Sequence, residues 1–287
     1  MIITMAKSLY DKDRYYDNDT KGSRLFPVLN PILYFLDWQK ARKFLKRTKL
    51  KNGNVLDIGA GDGKFLYFLR KKGLSVFGTT ASKISQTTAK YQFDIDLYYT
   101  TDIPEELFPR RYEAISYWHV FEHLKHPENH VASWPKLLSQ NGTVLIEIPN
   151  VESLGSRLNF NAWLGSDLKH HINHMKRDEI ASLLSKYRLR IIKEEYFSLK
   201  FTYVFLWSAL LGAIFGKKYH FDFIFGLLKT PFSSLRITPL PALNSFAAIL
   251  YLFPVIMALA FWGIKTRRGE VLRLWIQNME KSFAPTV

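Results

Sequence analysis

The chain contains no cysteine, and this absence removes several kinds of site at once. Without thiols there can be no disulfide, no thiolate nucleophile and no cysteine-ligated zinc. A reducing compartment is compatible with such a composition. Residues 1–10 also lack the apolar core of a signal peptide, so we expect that the chain is not secreted.

Acidic residues are scarce relative to basic ones, with 25 Asp and Glu against 40 Lys and Arg and a formal net charge of +15. This excess predicts an anionic partner, which could be a membrane surface, a nucleic acid or a polyanionic substrate. Apolar residues make up 47% of the 287 residues, which is enough for a real core. The length accommodates one α/β domain with an appendage, or two small domains.

The most informative stretch combines an apolar run, three alternating glycines and a helical pattern. Residues 54–58 are typical of a buried parallel strand, and Asp57 places a carboxylate near its end. Gly59, Gly61 and Gly63 have the spacing G-x-G-x-G, which differs from the dinucleotide-binding and phosphate-loop patterns. Strand, glycine turn and helix together predict a site for a nucleotide-like ligand that lacks a pyrophosphate.

Further apolar runs alternate with helical patterns along the chain. They predict four more strands, at residues 74–78, 97–100, 112–118 and 143–148. Five strands alternating with helices favour the α/β class with a doubly wound, Rossmann-like sheet.

The glycine turn resembles motif I of the class I S-adenosylmethionine-dependent methyltransferases. Three later motifs are similar to those of one methyltransferase subgroup, and the resemblance covers roughly residues 50–197. These motifs are Glu122-His123 after the fourth strand, Pro149-Asn150 after the fifth strand, and the histidine-rich segment 170–174.

The resemblance implies that S-adenosyl-L-methionine is the cofactor. One residue departs from the common pattern, because Thr80 stands where most of the class has an acidic residue for the ribose hydroxyls. Residues 78–82 instead resemble the Gly-x-Thr-x-Ser version of the lipid-modifying cyclopropane-synthase branch. The implied cofactor-binding residues are Asp57, Gly59, Ala60, Gly61, Gly63, Thr79, Thr80, Thr101, Asp102, Trp118 and His119.

Histidines supply the candidate catalytic groups. His119 leaves the fourth strand beside the expected methyl position, and an ordinary histidine pKa near 6.5 suits a general base. The resemblance also implies that His171 or His174 orients or deprotonates the acceptor. A histidine that only bonds a backbone group, or a surface histidine cluster, is the alternative.

Other polar residues near these histidines are given structural interpretations. His170, His171 and His174 have helical metal-ligand spacing, but no H-E-x-x-H motif or cysteine completes a site, so no metal is predicted. We interpret Glu122 and His123 as a helix-terminal acid and a packed ring. The segment 161–163 (Asn-Ala-Trp) is expected to help line the acceptor pocket.

The end of the chain is strongly hydrophobic at residues 201–215, 221–228 and 246–264. The resembled family closes its sheet here with an antiparallel hairpin, which we expect these segments to replace. Crossing the bilayer would place cationic loops outside, against the positive-inside rule. We therefore favour helices that dip into one leaflet from the cytoplasmic face, with their cationic flanks on anionic headgroups. A dimer interface or an apolar helical cap is the soluble alternative.

The predicted organisation has three parts. Residues 1–50 form an arm and a cap helix, residues 51–197 the cofactor-binding domain, and residues 198–287 hydrophobic membrane-associating helices with a basic tail. A polar arm at residues 7–24 could fold over the cofactor site or stay solvated. The basic helix after it suits a membrane interface, or a cap helix on the core.

The predicted function is methylation of a lipid or lipid-linked acceptor, such as a quinone, a polyprenyl-linked glycan or an acyl chain. A hydroxyl with a histidine base is favoured over a carbon or an amine. The enzyme would be membrane-associated, with the catalytic domain on the cytoplasmic face. A non-catalytic scaffold is one alternative. RNA methylation is another, but the basic residues flank apolar segments, so no nucleic-acid partner is expected.

Overall fold

The computed structural model describes residues 26–215 and 254–279. They form a seven-stranded sheet in the order β3-β2-β1-β4-β5-β7-β6, with helices on both faces. The strands are β1 Asn54–Ile58, β2 Ser75–Thr80, β3 Tyr98–Tyr99, β4 Tyr112–Trp118, β5 Leu138–Pro149, β6 Leu189–Glu195 and β7 Val271–Asn278. The helices are α1 Phe26–Thr48, α2 Lys64–Arg70, α3 Lys83–Phe93, α4 Pro127–Leu137, α5 Leu154–Asn159, α6 Arg177–Ser185, α7 Phe201–Phe215 and α8 at residues 254–265.

Strands β1 to β5 are parallel, and the predicted doubly wound α/β fold is confirmed. β1 lies between β2 and β4, so the chain reverses direction across the sheet beside β1. Asp57 pairs in register with Gly78 on one side and Ser116 on the other. Ligands of such sheets bind at the carboxyl ends of the strands, where the strand order reverses.

The last strand corrects the prediction for the end of the chain. We expected hydrophobic segments to replace the closing antiparallel strands, and this is wrong, because β7 lies between β5 and β6 and is antiparallel to both. The hydrophobic region is therefore an insertion between β6 and β7. Residues 271–278 of the predicted 198–287 region belong to the sheet. Arg273, expected in a basic tail, is buried there.

Apolar side chains fill both faces of the sheet. Alternate residues of a strand point to opposite faces, so Leu56 and Ile58 join one core while Val55 joins the other. The second core also contains Phe44 of α1, whose ring meets that of Phe65 edge-on with centroids 5.3 Å apart. The predicted basic cap helix thus packs on the sheet domain.

Some predicted features lie outside the described residues. These are the polar arm at residues 7–24, the apolar segment 221–228 and the first part of the segment 246–264. Within the described ranges, no helix has both the length and the apolar character needed to cross a membrane.

Candidate functional site

The glycine turn after β1 is the centre of the site. Gly59, Gly61 and Gly63 have φ angles of 70°, 57° and 79°, in the left-handed region that favours glycine. A Cβ on Gly59 would lie 2.4 Å from a Val120 methyl carbon, whereas one on Gly61 would meet no atom within 4 Å. The turn is therefore closed on its protein side and open on its cavity side, as a bound ligand requires.

Threonine 79 holds this turn in place. The Gly59 N–H donates to Thr79 Oγ1 at 3.2 Å, and the Ala60 N–H donates to the Thr79 carbonyl at 2.7 Å. Its hydroxyl is therefore committed to the protein backbone. The neighbouring Thr80 lies at the end of β2 and lines the cavity.

The carboxyl group of Asp57 is buried beneath the turn. It accepts a hydrogen bond from Ser116 Oγ at 2.6 Å, across the β1–β4 pair. Burial raises the pKa of Asp57 to about 6, although the charge of Lys40 and the bond from Ser116 act in the opposite direction.

A cavity of about 180 Å³ opens beside the glycine turn. Polar groups from the ends of three parallel strands and the turn surround it, which suits the hydroxyls of a nucleoside. Its lining residues are Ile58, Gly59, Gly61, Thr80, Ala81, Ser82, Ser85, Thr100, Thr101, Trp118, His119, Val120, His123 and Leu124.

The predicted cofactor residues divide into two groups around this cavity. Those that line it are Gly59, Gly61, Thr80, Thr101, Trp118 and His119. Those that stand behind or away from it are Asp57, Ala60, Gly63, Thr79 and Asp102. The carboxylate of Asp102 is 89% exposed and lies 3.9 Å from His130 Nε2, so its role in cofactor binding stays a prediction.

Three lining hydroxyl residues were missed from the sequence, namely Ser82, Ser85 and Thr100. Ser82 is also the N-cap of α3, where its Oγ accepts from the Ser85 N–H at 3.0 Å. The feature of the sequence that could have indicated these residues is their position shortly after the end of a strand. Serine at a helix start is so common that it does not by itself indicate a ligand.

His119 is held between two buried carboxylates. Its Nδ1 lies 3.3 Å from Glu122 Oε1 and its Nε2 lies 3.2 Å from Glu147 Oε1. Its backbone adopts the left-handed region, with φ 54°, and its N–H donates to the Glu147 carbonyl at 2.8 Å. Burial lowers the pKa of His119, but the two carboxylates outweigh burial and raise it above the ordinary value. The two carboxylates therefore favour the protonated ring.

Glu147 also pairs with an arginine from the last strand. Arg273 contacts Glu147 through Nε at 2.6 Å, and its Nη1 lies 2.8 Å from Glu195 Oε2. Burial raises the pKa of Glu147, but Arg273 and then His119 lower it to about 2. A buried network of alternating charge thus connects the cavity to β6 and β7.

The other predicted histidines lie on a loop beside this network. His123 Nδ1 is 3.0 Å from the His170 carbonyl oxygen, and His171 Nδ1 is 2.9 Å from the Gly165 carbonyl oxygen. His174 Nε2 is 2.6 Å from the Ser166 carbonyl oxygen. Of these histidines, His123 lines the cavity itself, and the ring of His171 lies behind it with centroids 4.7 Å apart.

The Pro-Asn motif and Trp163 have structural contacts. Asn150 Nδ2 donates to the Gly269 carbonyl at 2.8 Å, which anchors the end of the insertion. Trp163 is fully buried and donates through Nε1 to Glu270 at 2.7 Å, so the predicted pocket residue lies in a core. Glu270 was missed, because nothing around it in the sequence indicates that its partners are over 100 residues away.

A second cavity, of about 520 Å³, adjoins the first and shares the Trp118 indole with it. Phe201 of α7 lines this second cavity and packs against His119, with ring centroids 3.9 Å apart. Cationic residues outnumber acidic ones among its lining residues. The cations are Lys40, Lys43, Lys46, Arg47, Lys193, Lys200 and Arg273, and the acids are Asp37, Glu147 and Glu195.

Comparison with known proteins identifies one family model that matches the sequence and many solved structures that are similar to this one. A family model described as a methyltransferase domain matches residues 33–194, which is more than half of the chain. No curated protein matches the sequence.

Two solved structures have a TM-score of 0.50. One is a protein from Galdieria sulphuraria provisionally assigned as a sarcosine dimethylglycine methyltransferase, at 16% identity, with 83% of this chain and 84% of that chain covered. The other is a protein from Bacillus halodurans C-125 provisionally assigned as a methyltransferase, at 13% identity, covering 83% and 96%. A SAM-dependent methyltransferase from Thermotoga maritima has a TM-score of 0.45 at 17% identity, covering 60% and 76%. At these identities the likeness concerns the fold alone.

Proposed function

This chain is an S-adenosylmethionine-dependent methyltransferase of the methyltransferase-domain family, and we propose that it methylates a hydroxyl on a lipid or lipid-linked acceptor at a membrane surface. The cofactor supplies an electrophilic methyl group, which the acceptor oxygen displaces in line from the sulfonium sulfur. The chain must therefore hold the cofactor, align the acceptor and remove the hydroxyl proton.

The residues around the first cavity fit the cofactor. The open side of Gly61 leaves room for the ligand close to the backbone, and hydroxyls of Thr80, Ser82 and Ser85 lie along the cavity wall. A threonine hydroxyl can bond one ribose oxygen, although it cannot accept from both hydroxyls as a carboxylate does. Trp118 and His119 close the end of the cavity where we place the methyl group.

The contact between Phe201 and His119 is the main support for the proposal that the acceptor is a lipid or is linked to one. Phe201 is the first residue of α7, which is the first helix of the hydrophobic insertion. The insertion therefore contributes to the second cavity and packs against His119, which lies at the end of the first cavity where methyl transfer would occur. An acceptor that reaches this point from the second cavity would pass apolar side chains such as Phe197, Leu199 and Phe201, which suits a lipid chain.

The charge of the second cavity supports an anionic acceptor group. Lys40 lies over the rings of Phe65 and Trp118, at 4.6 and 4.5 Å from their centroids, and no carboxylate of the described residues forms an ion pair with it. Lys43 lies 5.5 Å from the centroid of Phe197. Cations held on aromatic faces remain able to bind a phosphate or carboxylate group of the acceptor.

An apolar surface on α8 supports attachment to a membrane. Phe261 is 61% exposed and Trp262 is 47% exposed, and Lys265 lies over the Phe261 ring at 4.6 Å. Aromatic residues next to a cation are typical of helices that lie in the headgroup region. With the chain's net charge of +15, this favours an anionic leaflet, and we place the catalytic domain on its cytoplasmic face.

For removal of the proton, we favour the loop histidines over His119. Glu122 and Glu147 raise the pKa of His119, which favours its protonated form and makes it less suited to accept a proton. Burial lowers the pKa of His171 despite the charge of Glu122, and this favours the neutral ring. We therefore assign activation of the hydroxyl to the side of the cavity formed by His123 and His171.

The experiment is a transfer assay with methyl-tritiated S-adenosylmethionine and three acceptor pools: a total lipid extract, total RNA and a water-soluble metabolite pool. Purified full-length enzyme in detergent is incubated with each pool. Enzyme-dependent label in the lipid fraction, resistant to acid and released only by ether-cleaving reagents, supports O-methylation of a lipid acceptor. Label confined to RNA or to water-soluble products would overturn the lipid proposal.

A further inference from the structure

We infer that Glu122, His123 and His171 form a binding site for a divalent cation of the Zn²⁺ class. One ligand atom from each residue can be chosen so that all three lie within 4.8 Å of one another. Ligands each about 2.1 Å from a tetrahedral zinc ion lie about 3.4 Å apart, so the side chains would move inward by about an ångström to complete the geometry. Two histidines and one carboxylate leave a coordination position open for a substrate oxygen.

Both imidazoles are oriented by backbone carbonyls. Because a carbonyl can only accept, Nδ1 of His123 must donate to the His170 carbonyl, and Nδ1 of His171 must donate to the Gly165 carbonyl. Each neutral ring then carries its lone pair on Nε2. This arrangement is typical of metal-ligating histidines, whose second nitrogen is fixed by a carbonyl or carboxylate.

The carboxylate of Glu122 gives independent support for a cation at this position. Its side chain is only 2% exposed, and among the described residues neither oxygen has a partner in hydrogen-bond geometry. His119 Nδ1 is the nearest cation, at 3.3 Å from Oε1. His119 offsets part of the charge of this carboxylate, but a buried carboxylate whose oxygens lack hydrogen bonds remains costly, and a bound cation would satisfy them.

The two segments that carry the ligands are fastened together through the backbone. The N–H groups of Ile172 and Asn173 both donate to the Glu122 carbonyl, each at 3.0 Å, and Asn173 Nδ2 donates to the Leu124 carbonyl. The ligands are thus held by main-chain bonds on both sides. Such support is what a preorganised site requires.

This arrangement differs from the metal pattern considered in the sequence. There, His170, His171 and His174 were compared as neighbours on one helix face, but residues 171–176 are not helical. The cluster instead joins His171 to residues 48 and 49 positions earlier in the chain. Spacing within one segment therefore could not reveal it.

The cluster lies beside the cofactor cavity, and this position indicates that the ion would activate the acceptor hydroxyl. His123 lines the cofactor cavity next to Leu124 and His119, so an acceptor oxygen at the cavity end could be a fourth ligand. When the ion is bound, His123 and His171 act as its ligands and no longer as proton acceptors. The cation instead lowers the pKa of a coordinated hydroxyl, whose proton then leaves to solvent as the oxygen attacks the methyl carbon. This role rests on the proposed function, whereas binding of the ion does not.

The test measures binding of zinc alone to the full-length protein in detergent, after removal of any histidine tag. Isothermal titration with Zn²⁺ is compared for the wild type, His171→Gln, His123→Gln and His126→Gln. His126 is the matched control, because its imidazole is 69% exposed and lies away from the cluster with Glu128. Co²⁺ is titrated in parallel, since its visible absorption reports nitrogen and oxygen ligands in a low-symmetry site.

We expect one Zn²⁺ per chain, with affinity reduced about 100-fold or more in His171→Gln and His123→Gln and unchanged in His126→Gln. Far-ultraviolet circular dichroism and the denaturation temperature, measured on the same samples, verify that each variant is folded. A folded wild type that binds no stoichiometric Zn²⁺ would overturn the inference. An equal loss of Zn²⁺ affinity in His126→Gln and His171→Gln would also overturn the inference. Neither result depends on an acceptor, so failure here is distinct from failure of the proposed reaction.

Discussion

The imidazole of His119 packs against the ring of Phe201, with centroids 3.9 Å apart. This contact joins the end of β4, beside the cofactor cavity, to the first helix of the hydrophobic insertion. The insertion is therefore part of the candidate active site and not only a means of attachment. Its removal would open one side of the second cavity.

Phe201→Ala tests this relationship. The substitution removes the ring that lines the second cavity and packs against His119, but it leaves the glycine turn unchanged, so we expect the affinity for S-adenosylmethionine to stay within about twofold. Transfer of tritiated methyl to lipid extract should fall about tenfold or more, because the acceptor is no longer aligned. Val204→Ala, an exposed change on the same helix, serves as the control and should retain full transfer. Equal transfer by both variants would remove Phe201 from the acceptor site.

The buried arginine of β7 gives a prediction for stability. Arg273→Met removes the cation that Glu147 and Glu195 share and leaves Glu147 with His119 alone, and breaking a buried ion pair in this way costs about 3–5 kcal/mol. We expect a lower denaturation temperature by differential scanning fluorimetry. The double variant Arg273→Met, Glu147→Gln should recover part of the loss, because it removes one uncompensated charge. A double variant less stable than the single one would show that Arg273 stabilises the fold by other means.

Glu270 gives a prediction for pH dependence. Burial raises the pKa of Glu270 from 4.5 to about 7, although it accepts hydrogen bonds from Gly155, Trp163 and Ser153. The folded state thus holds the neutral acid, whereas the unfolded chain ionises at the ordinary pKa. Its contribution to stability is complete below about pH 4.5 and is lost as the pH rises through about 7.

The measurement is the denaturation temperature of the wild type and Glu270→Gln between about pH 5 and about pH 8. The pKa shift corresponds to about 3 kcal/mol, so the wild type should lose stability with pH more steeply than the variant. Glu106→Gln, at an exposed position, should follow the wild type at every pH. Parallel curves for Glu270→Gln and the wild type would show that Glu270 does not titrate in this range.

Attachment to a membrane is tested by flotation with vesicles of phosphatidylglycerol and of phosphatidylcholine. We expect the protein to float with the anionic vesicles and to be released by salt, because its cations bind the headgroups. The double variant Phe261→Ser, Trp262→Ser should float less, since it removes exposed apolar surface from α8. Tyr91→Ser changes another exposed aromatic residue, on α3, and should float as the wild type does. Identical flotation of all three proteins would place the membrane contact elsewhere.

Local patterns were sufficient to predict the centre of the fold. The bounds predicted for β1 and β4 are those of the structure, because a buried parallel strand is a continuous apolar run that ends at a turn. The glycine turn was equally predictable, since its left-handed backbone angles require glycine at alternate positions. These features depend on residues close together in the sequence.

Features that depend on distant residues were not predictable in the same way. β7 pairs with β5 across the hydrophobic insertion, and that insertion concealed a strand in what we interpreted as a basic tail. Arg273 was expected in that basic tail, yet its partner Glu147 is 126 residues away. Glu122 was interpreted as a helix-terminal acid, because nothing near it in the sequence indicates that His171 lies beside it.

The most direct test of the site is calorimetric titration of S-adenosylmethionine into the wild type, Gly61→Ala and Gly73→Ala. Both glycines have positive φ angles, so each substitution should cost a similar stability, about 1 kcal/mol. Only the Cβ on Gly61 points into the cavity, whereas one on Gly73 contacts the Lys51 carbonyl at 3.8 Å. We predict binding that is about tenfold or more weaker in Gly61→Ala and unchanged in Gly73→Ala. Equal affinity in the two variants would contradict a cofactor site at the glycine turn.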